Sequence, residues 1–143
     1  MNKWDDRFLE LAKLISTWSK DPSTQTGAVI VRPDRTIISV GYNGFPKGMN
    51  DEPKLYADRE TKYSRIVHCE MNAILNAKQS VEGCTLYTVP FASCDRCAIH
   101  CLQAGIKTFV FPTLPKKLEK RWSESVFKTK CYFHEAGVEY REI

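Results

Sequence analysis

From Trp4 to Trp18 apolar residues recur at Trp4, Phe8, Leu11, Leu14, Ile15 and Trp18. This three-to-four spacing predicts one buried face of a helix, which Ser19-Lys20-Asp21-Pro22-Ser23 ends. Two runs rich in β-formers follow, Gly27 to Val31 and Thr36 to Val40. Arg32-Pro33-Asp34-Arg35 between them carries a Pro-Asp turn signal, so the pair reads as a β-hairpin. The segment Gly41-Tyr42-Asn43-Gly44-Phe45-Pro46-Lys47-Gly48 is dense in residues that permit tight turns and close backbone approach. From Met49 to Arg65 the chain is polar without a strong period and reads as loop with some helix.

Beyond His68, the residues Glu70 to Lys78 are good helix formers without glycine or proline, which predicts a helix starting near Cys69. Thr85 to Val89 reads as a strand, Cys94 to Gln103 as a helix closed by Gly105, and Lys107 to Phe111 as another strand. A strand, helix, strand unit of this length favours parallel pairing with a right-handed crossover. Pro115 to Glu135 reads as mostly helical, and Val138 to Arg141 supplies a last strand. The order αββαβαβαβ describes an α/β fold in which a mixed sheet of about five strands carries helices on its faces.

The length of 143 residues suits one domain over 1–143 and is too short to argue for two. Hydrophobic residues at 43% and charged residues at 27% are ordinary for a folded globular chain. The apolar runs are strand-sized, far below the roughly 20 residues that span a bilayer, so no membrane partner is expected. The N-terminal Met1-Asn2-Lys3-Trp4-Asp5-Asp6 has no secretory pattern, which implies a cytoplasmic setting. The net charge of +4 is modest. The basic cluster Lys116, Lys117, Lys120 and Arg121 reads first as a solvated helix face and second as a phosphate site. In a reducing setting, closely spaced members of the six cysteines are metal or redox candidates.

Cys94 and Cys97 are that pair. At i and i+3 on a predicted helix, their sulfurs project from one face and can reach one ion. Tetrahedral zinc accepts thiolate and imidazole, and a catalytic site keeps three protein ligands and leaves the fourth position to water. His68, just before the preceding helix in the His-x-Glu of His68-Cys69-Glu70, is the candidate third ligand; the other histidines are His100 and His134. Glu70 is placed to take the proton of an activated water. Positions i and i+2 diverge in a regular helix, so His68 and Glu70 converge only if His68 stands at the irregular helix start. Two helix starts aimed at one metal would favour thiolate at both cysteines. His-x-Glu followed by Cys-x-x-Cys is the signature of zinc-dependent deaminases, with Glu as acid/base and not as ligand. The alternatives for the cysteines are buried apolar thiols or a redox pair.

With these motifs the chain resembles the cytidine deaminase superfamily, and within it the deoxycytidylate (dCMP) deaminases. The resemblance runs from Ser19 to Ala28, through Gly41 to Pro46, Thr61-Lys62-Tyr63, His68 to Ile74 and Gly83 to Tyr87, to Gln103-Ala104-Gly105-Ile106-Lys107. It implies a three-layer α/β/α fold, zinc held by His68, Cys94 and Cys97, Glu70 as proton shuttle, and a homohexamer or other homo-oligomer. It implies hydrolysis of dCMP to dUMP and ammonia, with attack at C4 and Glu70 serving N3 and the departing amine. Activation by dCTP and inhibition by dTTP are implied too, with Gly41, Tyr42, Asn43 and Gly44 matching the segment associated with the effector nucleotide. Asn43 also matches an asparagine that contacts the sugar; a plain turn role is the alternative for Tyr42 and Asn43.

Further candidate substrate contacts are Lys20, Tyr63, Val67, Ser93 and Trp122, the last matching an aromatic residue near the base, with helix core as its alternative. A monophosphate requires cationic or hydroxyl partners, for which Lys20, Arg59, Lys62 and Arg121 are candidates. The chain departs from the family pattern in three places: Ser93 replaces the proline before Cys94, the Phe91-Ala92-Ser93-Cys94 stretch is one residue longer, and Cys69 stands where alanine is usual. A deaminase acting on tRNA or single-stranded DNA would carry a basic, aromatic track, which the modest charge argues against, so no nucleic-acid partner is expected. A non-catalytic zinc module that binds nucleotides is the other rival; Glu70 speaks against it, because a structural site closes its fourth position with a protein ligand.

Overall fold

A computed structural model describes residues 2–143. Five strands form one sheet: β1 (Gly27–Val31), β2 (Ile37–Tyr42), β3 (Thr85–Val89), β4 (Thr108–Phe111) and β5 (Glu139–Glu142). Their spatial order is β2-β1-β3-β4-β5. β1 pairs antiparallel with both β2 and β3, whereas β3–β4 and β4–β5 are parallel. The sheet is therefore mixed. Helices α1 (Lys3–Ser16), α2 (Pro53–Ala57), α3 (Arg59–Arg65), α4 (Cys69–Ala77), α5 (Asp95–Gln103) and α6 (Lys116–Ala136) fill the connections.

The period-two alternation of strands assigns each residue to one of two cores. Val29, Val31, Tyr87, Val89 and Val110 turn toward Phe8 and Ala12 of α1. Ala28, Ile30, Leu86, Phe109 and Phe111 turn to the opposite face, where α4, α5 and α6 contribute residues such as Ala73, Ala98, Val126 and Phe133. Burial on both faces explains why β1 reads as an unbroken apolar run. The result is three layers, α1 on one side and α4, α5 and α6 on the other.

Two glycines set the layer spacing. A Cβ on Gly27 would stand 2.1 Å from the Ala12 carbonyl oxygen of α1, and one on Gly41 would stand 2.5 Å from both Cys69 O and Ala73 N of α4. Neither position tolerates a side chain, so both helices lie directly on backbone.

The structure shifts several expected boundaries. α1 ends at Ser16, and Leu14 and Trp18 are each 56% exposed. Its buried face runs instead through Asp5, Phe8, Ala12, Ile15 and Ser16, because contact with Gly27 demands small residues at 12 and 16. β2 extends to Tyr42, so Gly41 and Tyr42 close a strand and do not open a loop. Two short helices occupy the segment of Pro53 to Arg65. Cys94 is the N-cap of α5, outside the helix proper.

Candidate active site

The site is built from two helix starts, those of α4 and α5, that meet. His68 is the N-cap of α4, with φ −71° and ψ 158°, and Cys94 is the N-cap of α5, with φ −64° and ψ 161°. The extended backbone at each cap turns its side chain off the helix axis. His68 and Glu70 thereby reach the same pocket despite their i, i+2 spacing. Cys94 Sγ also accepts the Cys97 N–H at 3.4 Å, as an N-cap oxygen would.

His68 Nδ1 lies 3.4 Å from Cys94 Sγ and 3.3 Å from Cys97 Sγ, and the three donor atoms all fall within 4.8 Å of one another. Zinc about 2.3 Å from sulfur and about 2.0 Å from nitrogen in tetrahedral geometry separates such donors by about 3.5 Å, so the spacing fits. The electrostatics also fit. Cys94 is lowered to about 4, first because the Cys97 thiol donates to it, against burial, and then because His68 does too. Cys97, as the proton donor of that pair, is pushed up, as is His68, to about 9, chiefly by its hydrogen bond to Cys94. Three donors crowded enough to share protons are a set that a dication would relieve.

The pocket in front of them is open to solvent and has a cavity volume of about 80 Å³. His68, Cys69, Glu70 and Cys94 form its floor, while Cys97, 5% exposed, lies behind them. Glu70 is itself only 5% exposed. Its carboxylate Oε1 accepts a hydrogen bond from the Cys69 thiol at 3.1 Å.

One wall comes from α3 and the loop after α1. Lys62 Nζ lies 3.2 Å from Asp21 Oδ1, with both side chains 6% exposed. Asn43 joins them, its Nδ2 donating to Asp21 Oδ2 at 3.2 Å and to Thr24 O at 2.9 Å while its Oδ1 accepts the Thr26 N–H at 2.9 Å. Both N–H donors and the carbonyl oxygen of this amide are thus engaged within the protein, so Asn43 lines the pocket as the residue that shapes the loop of 21–26.

The opposite wall comes from α6. Thr129 Oγ1 donates to Ser93 O at 2.7 Å, and Ser125 Oγ accepts the Asp95 N–H at 3.0 Å. These contacts pin α6 to the start of α5 and bring Arg121 and Trp122 over the pocket. Trp122 packs on Phe91 at 5.4 Å between ring centroids, and its buried Nε1 has no hydrogen-bond partner among the described residues. Arg121 donates to the Tyr63 hydroxyl, joining the two walls.

Of the residues expected from sequence, His68, Cys94, Cys97 and Glu70 come together, and Asn43, Lys62, Tyr63, Arg121 and Trp122 line the same pocket. Others lie outside its walls. Lys20 pairs with Asp51 at 2.9 Å on the surface, and Arg59 is exposed at the start of α3. Val67 pairs with Gly44 in an isolated bridge, and Gly41 is pressed against α4. Tyr42 is 39% exposed and meets Trp18 edge-on. Ser93 is buried behind the wall, its Oγ without a partner among the described residues. Sequence reasoning missed Asp21, Thr24, Thr26, Thr88, Pro90 and Phe91 as lining residues. The one available signal is that Asp21 to Thr26 lies inside the stretch of Ser19 to Ala28 that resembles the family.

Comparison with known proteins shows the family. Residues 2–113 match the cytidine and deoxycytidylate deaminase zinc-binding region. An uncharacterized deaminase in the luxG 3' region of Aliivibrio fischeri is 42% identical over 97% of this chain and 92% of its own length. The deoxycytidylate deaminase of Mus musculus is 37% identical over 99% of this chain and 80% of its own, and that of Homo sapiens is 36% identical with the same coverage. The crystal structure of dCMP deaminase from the cyanophage S-TIM5 shares the fold, with a TM-score of 0.75, 20% identity and full coverage of both chains. With its His-Cys-Cys donor set and adjacent glutamate, the chain belongs to the zinc-binding cytidine and deoxycytidylate deaminases.

Proposed function

We propose that the protein deaminates dCMP hydrolytically to dUMP and ammonia. The observation that carries this reading is that the pocket joins a zinc-binding triad and Glu70 at its floor to two cationic side chains, Lys62 and Arg121, in its walls. A cytosine ring over the floor and a phosphate near the cations account for both ends. The solved complex of the S-TIM5 enzyme with dCMP and dUMP is of the same fold, and the mammalian relatives are named for this substrate.

Zinc held by His68, Cys94 and Cys97 supplies, when bound, an activated water. Every other task falls to the chain. Glu70 takes the proton of the attacking water, delivers a proton to ring N3 as C4 becomes tetrahedral, and hands one to the departing amine, so that water and dCMP leave as ammonia and dUMP. Phe91 and Trp122 offer an aromatic wall for the base. Arg121 has no carboxylate within ion-pair distance among the described residues and spends one donor on Tyr63, which leaves it free for a phosphate. Lys62, half neutralised by Asp21, is the second candidate.

Regulation by dCTP and dTTP, homo-oligomer assembly and a cytoplasmic setting belong to the same reading. The exposed Leu14, Trp18 and Tyr42 provide apolar surface for a second copy, and all six cysteines are free, as a reducing compartment requires. No helix of the described residues is long and apolar enough to cross a membrane.

Ammonia release from dCMP, measured beside deoxycytidine, dCTP and a cytosine-containing oligonucleotide, with and without the two triphosphates, tests the proposal. Preferred turnover of dCMP is the expected result. Silence on dCMP with turnover of the oligonucleotide would replace it by an editing activity, and silence on all four by a binding module.

A further inference from the structure

The residue between zinc ligand and proton shuttle is Cys69. Its side chain is 2% exposed and turned into the core beneath α4. Its thiol lies 3.1 Å from Glu70 Oε1, the one hydrogen bond that the structure gives this carboxylate among the described residues. An alanine could make no such bond.

The sulfur is held firmly. As the first residue of α4, Cys69 sits where the helix presses on Gly41, whose missing side chain leaves room for the Cys69 carbonyl.

We propose that Cys69 is a positioning residue for the deaminase reaction, its thiol holding one oxygen of Glu70 so that the other is left for the water and the base. The proposal rests on the deaminase reading of the site. A carboxylate at the end of three rotatable bonds loses rate when its direction is free, since proton transfer depends on hydrogen-bond geometry. A thiol is a weak donor, but bonding to a charged acceptor in a buried site strengthens it.

Zinc-loaded protein is compared as wild type, Cys69→Ala and Cys69→Ser, with zinc per chain measured for each. Cys69→Ala is expected to lower kcat for dCMP about tenfold with KM within about twofold and zinc unchanged, as loss of one bond to a charged group implies. Cys69→Ser, which keeps a donor, is expected to recover most of that loss. Independently of turnover, the Cys69 S–H stretching band, identified as the one absent from Cys69→Ser, is expected to move to higher frequency in Glu70→Ala.

A Cys69→Ala enzyme with unchanged kcat overturns the proposal, as does a loss that serine fails to recover, which would assign the residue to packing. An S–H band unmoved by loss of Glu70 overturns it as well. Wild-type protein inert toward dCMP would instead end the substrate reading, and the infrared comparison would then decide the thiol–carboxylate bond alone.

Discussion

Lys62 and Asp21 form an ion pair in the wall of the active-site pocket, 3.2 Å apart and each 6% exposed. Asp21 Oδ1 also accepts the Ser23 N–H at 2.8 Å, and Oδ2 accepts from Asn43. Desolvated charges are expensive, and removing one partner strands the other. Lys62→Met is therefore expected to lower stability by about 3 kcal/mol at neutral pH, an uncompensated buried carboxylate being the cause. The double variant Lys62→Met, Asp21→Asn should recover most of that loss in a denaturant titration. Recovery of stability without recovery of KM for dCMP would separate the structural role of Lys62 from its contact with substrate.

This pair also shows where sequence and structure part. The zinc triad was legible because its chemistry is local: a His-x-Glu and a Cys-x-x-Cys can be recognised without knowing what lies between them, and the demand that His68 leave the helix was met by its place as N-cap. The sheet was legible because β1 carries an unbroken apolar run, the mark of a strand covered on both faces, and β3 is a short run of β-formers. Asp21 was not, since a carboxylate beside a proline reads as a helix stop, and only the fold brings Lys62 from 41 residues away to meet it. Lys20, its exposed neighbour, attracted the phosphate assignment although its ammonium is spent on Asp51. Leu14 and Trp18 keep the helical period but lie beyond the stripe that Gly27 selects.

Arg121 bridges the pocket to Tyr63 and has no carboxylate partner among the described residues. If it holds the phosphate, its loss should act on KM and only when the substrate carries that group. Arg121→Ala is expected to raise KM for dCMP by about 10- to 100-fold, the worth of one or two bonds to a charged group. Deoxycytidine, lacking the phosphate, should be handled equally by both proteins. A parallel loss on deoxycytidine would show instead that Arg121 acts by positioning Trp122, over which its guanidinium lies at 5.4 Å.

Glu70 lines the floor beside His68 and Cys94 but is outside the donor set of three. Glu70→Gln preserves shape and removes the base. It is expected to lower kcat by about a thousandfold, within the range for loss of a general acid–base group, while one zinc per chain is retained. Loss of the metal together with activity would mean that the carboxylate supports the metal site and that the rate loss says nothing about proton transfer.

Asp5, on α1 near one end of the chain, receives Arg141 from β5 at the other, with Nε 2.8 Å from Oδ2 and a second nitrogen 3.0 Å from Oδ1. Tyr87 of β3 donates to the same carboxylate at 2.8 Å. Burial by itself would raise Asp5, but the hydrogen bonds from Arg141 and Tyr87 outweigh it and hold the carboxyl below its ordinary value. A group lowered in the folded state stabilises the fold above its unfolded pKa of about 3.9 and stops doing so as pH falls through the folded value. Asp5→Asn should therefore cost about 2 kcal/mol at pH 7, the scale of a charged hydrogen bond. Between the wild type and this variant the difference in urea midpoint should shrink as pH drops below about 4 and vanish once the folded-state carboxyl is protonated. A difference that persists unchanged at that acidity would mean that the shape of the site matters and its charge does not, and the link between α1 and β5 would then be one of packing.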